Sequence, residues 1–317
     1  HRAESARFDP SIAAQQGLVT GTPITSPTSG KYNTDEVSAE LLLPLVGGDF
    51  TLPLVERLEV SGQYRHVDNS IAGKESVWGV NGQWEVVTGV TLRGSRSRNF
   101  RAPTLDQLFQ PSTTALNGIL IDPCDTRFIN AGPAPATRRA NCVALFAANP
   151  TFNGGNGLEG FVQANANTAG ALVTTVGNPT LRNEVSDTLT YGIVLQPRFI
   201  PGLTFTADRI EVDIEDGLIA YDPLNFTQAC FDSSPPDQAF CSTFTRNENG
   251  DIVTAQRTTV NAANIKYRGE TYKLDYSFAP VDVFGGDDLG TFGISVEATH
   301  NTRLTTVAAG VLTQVAD

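Results

Sequence analysis

The sequence predicts an all-β chain, an antiparallel up-and-down β-barrel wall of about eight strands that crosses a membrane with strands. Three observations predict it. Segments of strand length alternate apolar and polar side chains, the pattern of a sheet with one apolar and one polar face. Short reversals collect at one end of these strands and long connections at the other, the asymmetry of transmembrane barrels. No run of 18 or more apolar residues occurs, so a transmembrane helix is excluded by length, whereas strands of about 9 to 11 residues leave hydropathy near neutral. The mean hydropathy is −0.13.

Composition agrees. Among 317 residues there are 29 Gly and 18 Pro, a turn-rich balance. Lys and Arg number 22 against 34 Asp and Glu, giving a formal charge of −12. Such a chain is a poor match to nucleic acid, whose affinity rests on phosphate neutralisation. HRAESARFDPS has no apolar h-region and the sequence has no Met, so any export signal is expected upstream.

The first 34 residues, rich in Gly, Pro, Ser and Thr, read as loop. Alternation begins with Val37, Ala39, Leu41 and Leu43, followed by a reversal near 44–53. Leu58, Val60, Gly62, Tyr64 and His66 then oppose Glu59, Ser61, Gln63 and Arg65. Next, Trp78, Val80, Gly82, Trp84 and Val86 share a face, with the tryptophans near its two ends, the position of aromatic girdles in a barrel and of core residues in a soluble sandwich. After a turn at 87–89, Val90 to Phe109 starts as a strand, becomes arginine-dense (Arg93, Arg96, Arg98, Arg101) and meets Pro103, which stops a ladder.

Residues 103–183 form a very long connection, with helical turns expected around Thr104–Gln110 and Arg138–Ala148. Leu189, Tyr191, Ile193 and Leu195 alternate up to Pro197. In LTFTADRIEVDIEDGL the apolar phase shifts from Leu203, Phe205 and Ala207 to Ile210, Val212 and Ile214, and a bulge near Asp208 and Arg209 would reconcile the two. A second long connection runs from 220 to 262. Strands through Tyr272–Phe278 and Phe292–Ala298 follow, joined by a turn at 280–288, and RLTTVAAGVLTQVAD reads as lacking a closing strand.

Four cysteines allow three pairings, and the local one, Cys124 with Cys142 and Cys230 with Cys241, closes short loops. A zinc site is the competing reading; it is disfavoured because no CxxC occurs and His1, His66 and His300 are distant in sequence.

FRAPTLDQLF resembles the FRAP-type segment of TonB-dependent outer-membrane receptors, where a strand leaves the membrane on the extracellular side. In order along the chain, SGKYNTDEVSAELLLPL, GNPTLRNEVSDTLTYGI and LTFTADRIEVDIEDGL look like other barrel segments of that family. The resemblance implies part of a 22-stranded barrel, plugged by a domain not contained in these residues. It also implies a cell outer-membrane location, uptake of a small scarce nutrient (metal–siderophore, cobalamin-like or oligosaccharide) and energy coupling through TonB. Outer-membrane lipid or lipopolysaccharide would surround such a wall.

Neither catalytic spacing nor a cofactor or metal motif is present. Glu211, Asp213 and Glu215 are expected to be solvated lumen charges. The candidate ligand-binding residues are Arg96, Arg98 and Arg101, as recognisers of an anionic ligand or lipopolysaccharide phosphate, with the loop carboxylates Asp122 and Asp125. Pairing of the arginines with lumen or plug carboxylates is the competing expectation. Two alternative functions remain at this level: a soluble or surface-anchored β-sandwich for binding or adhesion, and a carboxylate-based glycoside-acting enzyme.

Overall fold

In the computed structural model the described residues are 1–20, 23–48, 50, 52–117, 121–165, 170–236, 238–279, 281, 285, 290–308 and 311–316. Fourteen strands run in chain order: β1 (Arg2–Phe8), β2 (Ile24–Thr25), β3 (Thr28–Val46), β4 (Arg57–Asn69), β5 (Gly73–Val87), β6 (Val90–Arg101), β7 (Thr113–Asn117), β8 (Ala171–Thr175), β9 (Glu184–Leu195), β10 (Leu203–Tyr221), β11 (Phe244–Arg246), β12 (Ile252–Phe278), β13 (Phe292–Ala308) and β14 (Val311–Ala316). Helices are α1 (Ile12–Gln15), α2 (Leu105–Phe109), α3 (Pro135–Ala148), α4 (Pro223–Asp232) and α5 (Gln238–Cys241).

The wall has the order β1-β3-β4-β5-β6-β9-β10-β12-β13-β14, with every neighbour antiparallel. Long strands joined to their sequence neighbours make an up-and-down meander. The eight strands expected from alternation are all here. Among the described residues β1 does not pair with β14, so the sheet is open.

Register sorts the side chains. Val46, Leu58, Trp84, Leu92, Ile193, Ala207, Tyr272 and Ala298 lie in one continuous row across eight strands. The adjoining row, Glu59, Gln83, Arg93, Gly192, Asp208, Thr271 and Thr299, points to the opposite face because side chains alternate along every strand. The apolar face is uncovered: Leu41 is 60% exposed, Ile294 53% and Val296 57%. A β-sandwich would pack a second sheet on that face, and among the described residues none is there.

Four expectations are corrected. Residues 1–34 are not loop throughout, since β1 pairs with the start of β3 from Arg2↔Thr34 to Phe8↔Thr28. Backbone pairing needs no apolar period, and this ladder has little. The bulge near Asp208 is absent, because β10 keeps unbroken register with β9 from Phe205↔Leu195 to Glu215↔Val185. The apolar phase changes because the chemistry of each face changes: Arg209, Glu211 and Asp213 continue the face begun by Leu203, Phe205 and Ala207. The true irregularity lies between Ile214 and Leu218, against β12, where Asp216 has φ 53°. The second long connection ends sooner than expected, at the start of β12, Ile252. Finally, residues 311–316 form a strand against β13.

The reversal between β5 and β6 depends on Gly89, at φ 84°, where a Cβ would meet the Gln196 carbonyl at 2.2 Å. At the opposite end the connections are 70–72, 102–183 and 222–251. The two long ones fold together. Cys124, Ile129, Cys142, Phe146, Phe161, Cys230 and Phe231 form one buried cluster, with Phe146 and Phe161 edge to face at 4.8 Å. Both expected disulfides are formed, Cys124–Cys142 and Cys230–Cys241. The helices begin on sound caps: α2 has a Thr104/Gln107 capping box, and α4 has Asp222 with Asn225 and Pro223 in its first turn. The turn of the 280–288 reversal lies largely outside the described residues.

Candidate functional site

The polar face of the wall and the folded loop layer above it make the candidate site. On that face Arg93 of β6 donates to Asp208 of β10, Nε to Oδ1 at 2.9 Å and a terminal nitrogen to Oδ2 at 2.5 Å. The pair spans β9, which lies between them. Gly192 occupies the crossing point, where a Cβ would stand 2.2 Å from Asp208 Oδ1 and 2.4 Å from the Ala207 carbonyl. One row up, the Ser95 and Thr190 hydroxyls share a hydrogen bond of 2.6 Å. Higher still, Arg101 grips Glu184 with two bonds of 3.0 and 2.9 Å, and Glu184 also accepts from the Leu218 N–H. Beside this ladder lies a polar depression of about 310 Å³ whose lining includes Glu36, Ser38, Glu40, Gln63, Arg65 and Asn99. Arg65 reaches Glu36 at 3.3 Å. The depression therefore offers acceptors, amides and hydroxyls to a hydrophilic ligand. α2 folds over the loop end of the same face, where Leu108 is buried with Tyr32 and Leu181.

The expected site residues separate. Arg101 is on the polar face, paired. Arg96 and Arg98 share the parity of Leu92 and face the other way, with Arg96 between Val80 and Leu189 and Arg98 between Trp78 and Asp187. Asp122 and Asp125 are buried in the loop layer. Asp122 accepts from the Cys124 N–H and holds the Arg246 guanidinium, one of whose bonds is 2.8 Å. Asp125 accepts from Arg127 Nε at 2.9 Å and from the Arg127 and Gln163 N–H groups. Burial pushes the Asp125 carboxyl up, but these donors outweigh it and hold the group below the usual carboxylate value. Glu211, Asp213 and Glu215 lie on the apolar strands' outward parity, not with the polar ladder, which corrects their expected lumen position. Sequence reasoning passed over Asp208, Glu184 and Glu40; their alternation with apolar neighbours was the available signal. Among the described residues no cluster of His, Cys, Asp or Glu could hold a metal ion.

The family model described as TonB dependent receptor-like, beta-barrel matches residues 5–269 of this chain. The chain belongs to the TonB-dependent receptor family. Members are outer-membrane proteins and transporters rather than enzymes. One apolar and one polar face is the sidedness of a transmembrane barrel wall, in which short reversals mark the periplasmic end and long loops the extracellular end. Among solved structures, the chain is similar to a mutant ferric enterobactin receptor from Pseudomonas aeruginosa in complex with enterobactin, at 14% identity and TM-score 0.45 over 98% of this chain and 36% of that one. It is also similar to the siderophore receptor PirA from Acinetobacter baumannii, at 12% identity and TM-score 0.40 over 96% and 44%. A double mutant of the Serratia marcescens hemophore receptor HasR, in complex with its hemophore and heme, matches at 10% identity and TM-score 0.24 over 88% and 49%. This chain thus spans well under half the length of the first of these receptors. No curated protein sequence matches it.

Proposed function

We propose that this chain is the ligand-facing wall and extracellular loop layer of a receptor that takes up a scarce nutrient across the outer membrane, with energy delivered through TonB and a plug domain. The observation that supports this reading most is the sidedness of one continuous sheet, a bare apolar face backed by a hydrophilic face rich in paired charges. Such a wall can carry a polar cargo past a hydrocarbon layer only if the polar face lines an aqueous lumen. Every carboxylate of the ladder that pairs is held by a guanidinium, an arrangement suited to hydrogen bonding rather than to proton transfer.

Within the site, Arg101 and the Ser38, Gln63 and Asn99 side chains around Glu40 would meet the ligand, while Asp122 and Asp125 would act by holding the loops that shape its entrance. The cargo class is a metal–siderophore, a cobalamin-like molecule or an oligosaccharide. The test uses the full-length receptor in cells: material that co-purifies from native membranes is identified by mass spectrometry, and its uptake is compared with and without TonB. The reading expects uptake that requires both receptor and TonB; equal uptake in the TonB-less strain contradicts it.

A further inference from the structure

We propose that Arg96 and Arg98 form a binding site for the headgroup phosphate of an anionic membrane lipid, on the outer surface of the wall where its apolar belt ends. This rests on the lipid-facing reading of that surface. Both residues share the parity of Leu92 and Gly94 on β6 and therefore point away from the lumen. Arg96 is flanked in its row by Val80 and Leu189, both exposed apolar side chains of the belt, with Leu41 beyond Gly62 in the same row. Arg98 stands beside Trp78, an indole placed as interfacial aromatic rings are.

Two outward arginines on the neighbouring strands are already satisfied. Arg209 pairs with Glu211 at 3.3 Å and Glu270 at 3.0 Å, and Arg268 pairs with Glu211 at 3.1 Å and Asp213 at 2.9 Å. Among the described residues neither Arg96 nor Arg98 has an ion pair or side-chain hydrogen bond, although Asp187 lies opposite Arg98 in the ladder. A guanidinium at the edge of hydrocarbon is costly unless its stem extends toward the interface and its head meets an anion. Two guanidiniums two residues apart on one strand face present planar donor forks, which match phosphate oxygens better than a point charge would. The occupant is a lipid rather than a soluble anion because the belt continues in the outward rows directly below Arg96: acyl chains would run over Tyr191, Leu43 and Leu92, all exposed, while the phosphate sits at the arginines.

The test uses the full-length receptor in nanodiscs of phosphatidylcholine containing a minority of phosphatidylglycerol, with bound lipid read by native mass spectrometry. Wild type is expected to retain phosphatidylglycerol over phosphatidylcholine, and the Arg96→Gln/Arg98→Gln protein to lose that preference by about 30-fold, the usual gain for two basic residues near an anionic surface. Both substitutions are on an exposed face, and heat-modified gel mobility checks that the barrel is intact. An Arg96→Lys/Arg98→Lys protein should keep part of the preference. Undiminished preference in the Gln variant overturns the proposal, as does displacement of the lipid by inorganic phosphate, which would make this an ion site. Equal retention of both lipids by wild type also overturns it while leaving the lipid-facing wall standing; retention of neither lipid means that the wall reading itself has failed.

Discussion

Gly192 shows how one missing side chain shapes the lumen surface. Arg93 and Asp208 sit on strands separated by β9, and they reach each other only because nothing projects from the strand between them. A Gly192→Ala substitution would place its Cβ against a side-chain oxygen and a backbone carbonyl, and the carbonyl cannot swing aside. Overpacking of this kind costs about 1–3 kcal/mol. The ion pair itself, with Arg93 42% exposed, adds no more than about 1 kcal/mol. Thermal unfolding of the detergent-solubilised receptor should therefore show a lower midpoint for Gly192→Ala than for Asp208→Asn; the reverse order would mean that the charge, not the space, dominates.

A second residue-scale expectation concerns pH. The folded-state pKa of Asp125 is depressed, so its contribution is fully present above the unfolded value near 3.8 and is lost as pH falls through the lower folded value. Limited proteolysis of the loop layer should be unchanged between about pH 7 and 5 and should accelerate below about pH 4, where carboxylates take up protons. Asp125→Asn should remove part of that acid sensitivity while making the loops easier to cut at neutral pH.

At the scale of elements, the two long extracellular loops behave as one unit. Arg138 of α3 is buried and bonds Asp232 of α4 twice, at 2.7 and 2.6 Å, across 94 residues of sequence. Asn141 reinforces the same contact by donating to the Phe231 and Ser233 carbonyls. Removing one partner of a buried pair costs about 3–5 kcal/mol because the other charge is stranded. Arg138→Ala should therefore release protection from hydrogen exchange across both loops together while the strands below keep theirs; loss confined to 103–183 would show the loops to be independent.

The eight long strands were legible because one face is apolar and the period is two. α3 was legible because NCVALFAAN is dense in apolar residues. The loop layer's assembly was not, since Arg138 and Asp232, like Arg246 and Asp122, meet through tertiary packing that leaves no local pattern. For the same reason nothing in the sequence marked Asp122 and Asp125, named as loop ligand candidates, as buried. The arginine cluster was legible as a cluster, but its division between faces needed register: Arg93 and Arg101 turn inward and Arg96 and Arg98 outward.

Over the whole molecule, the edge of the outward apolar belt does not follow a hydrogen-bonded row. On β5 it reaches up to Trp78, which pairs with Arg98, whereas on β10 and β12 it ends at Ala207 and Tyr272, six residues lower in register terms along β6, at Leu92. Strands tilted by about 35–45° in a barrel produce such a slant, because a row perpendicular to tilted strands climbs relative to the membrane plane. The phase change in β10, which reads as a bulge in one dimension, is this boundary crossing the strand. A soluble sheet has no reason to switch its apolar face to Arg209, Glu211 and Asp213 part-way along.

The sidedness of the wall is tested most directly on β9, whose twelve residues run from Glu184 to Leu195. Spin labels placed singly from residue 188 to 195, leaving Gly192 untouched, in the reconstituted full-length receptor can be relaxed by oxygen, which concentrates in lipid, or by a water-soluble nickel chelate. Strict alternation is expected, with oxygen favoured at 189, 191, 193 and 195 and the chelate favoured at 188, 190 and 194. Odd-numbered sites shielded from both reagents, as in a packed sandwich core, or open to the aqueous chelate, would contradict it.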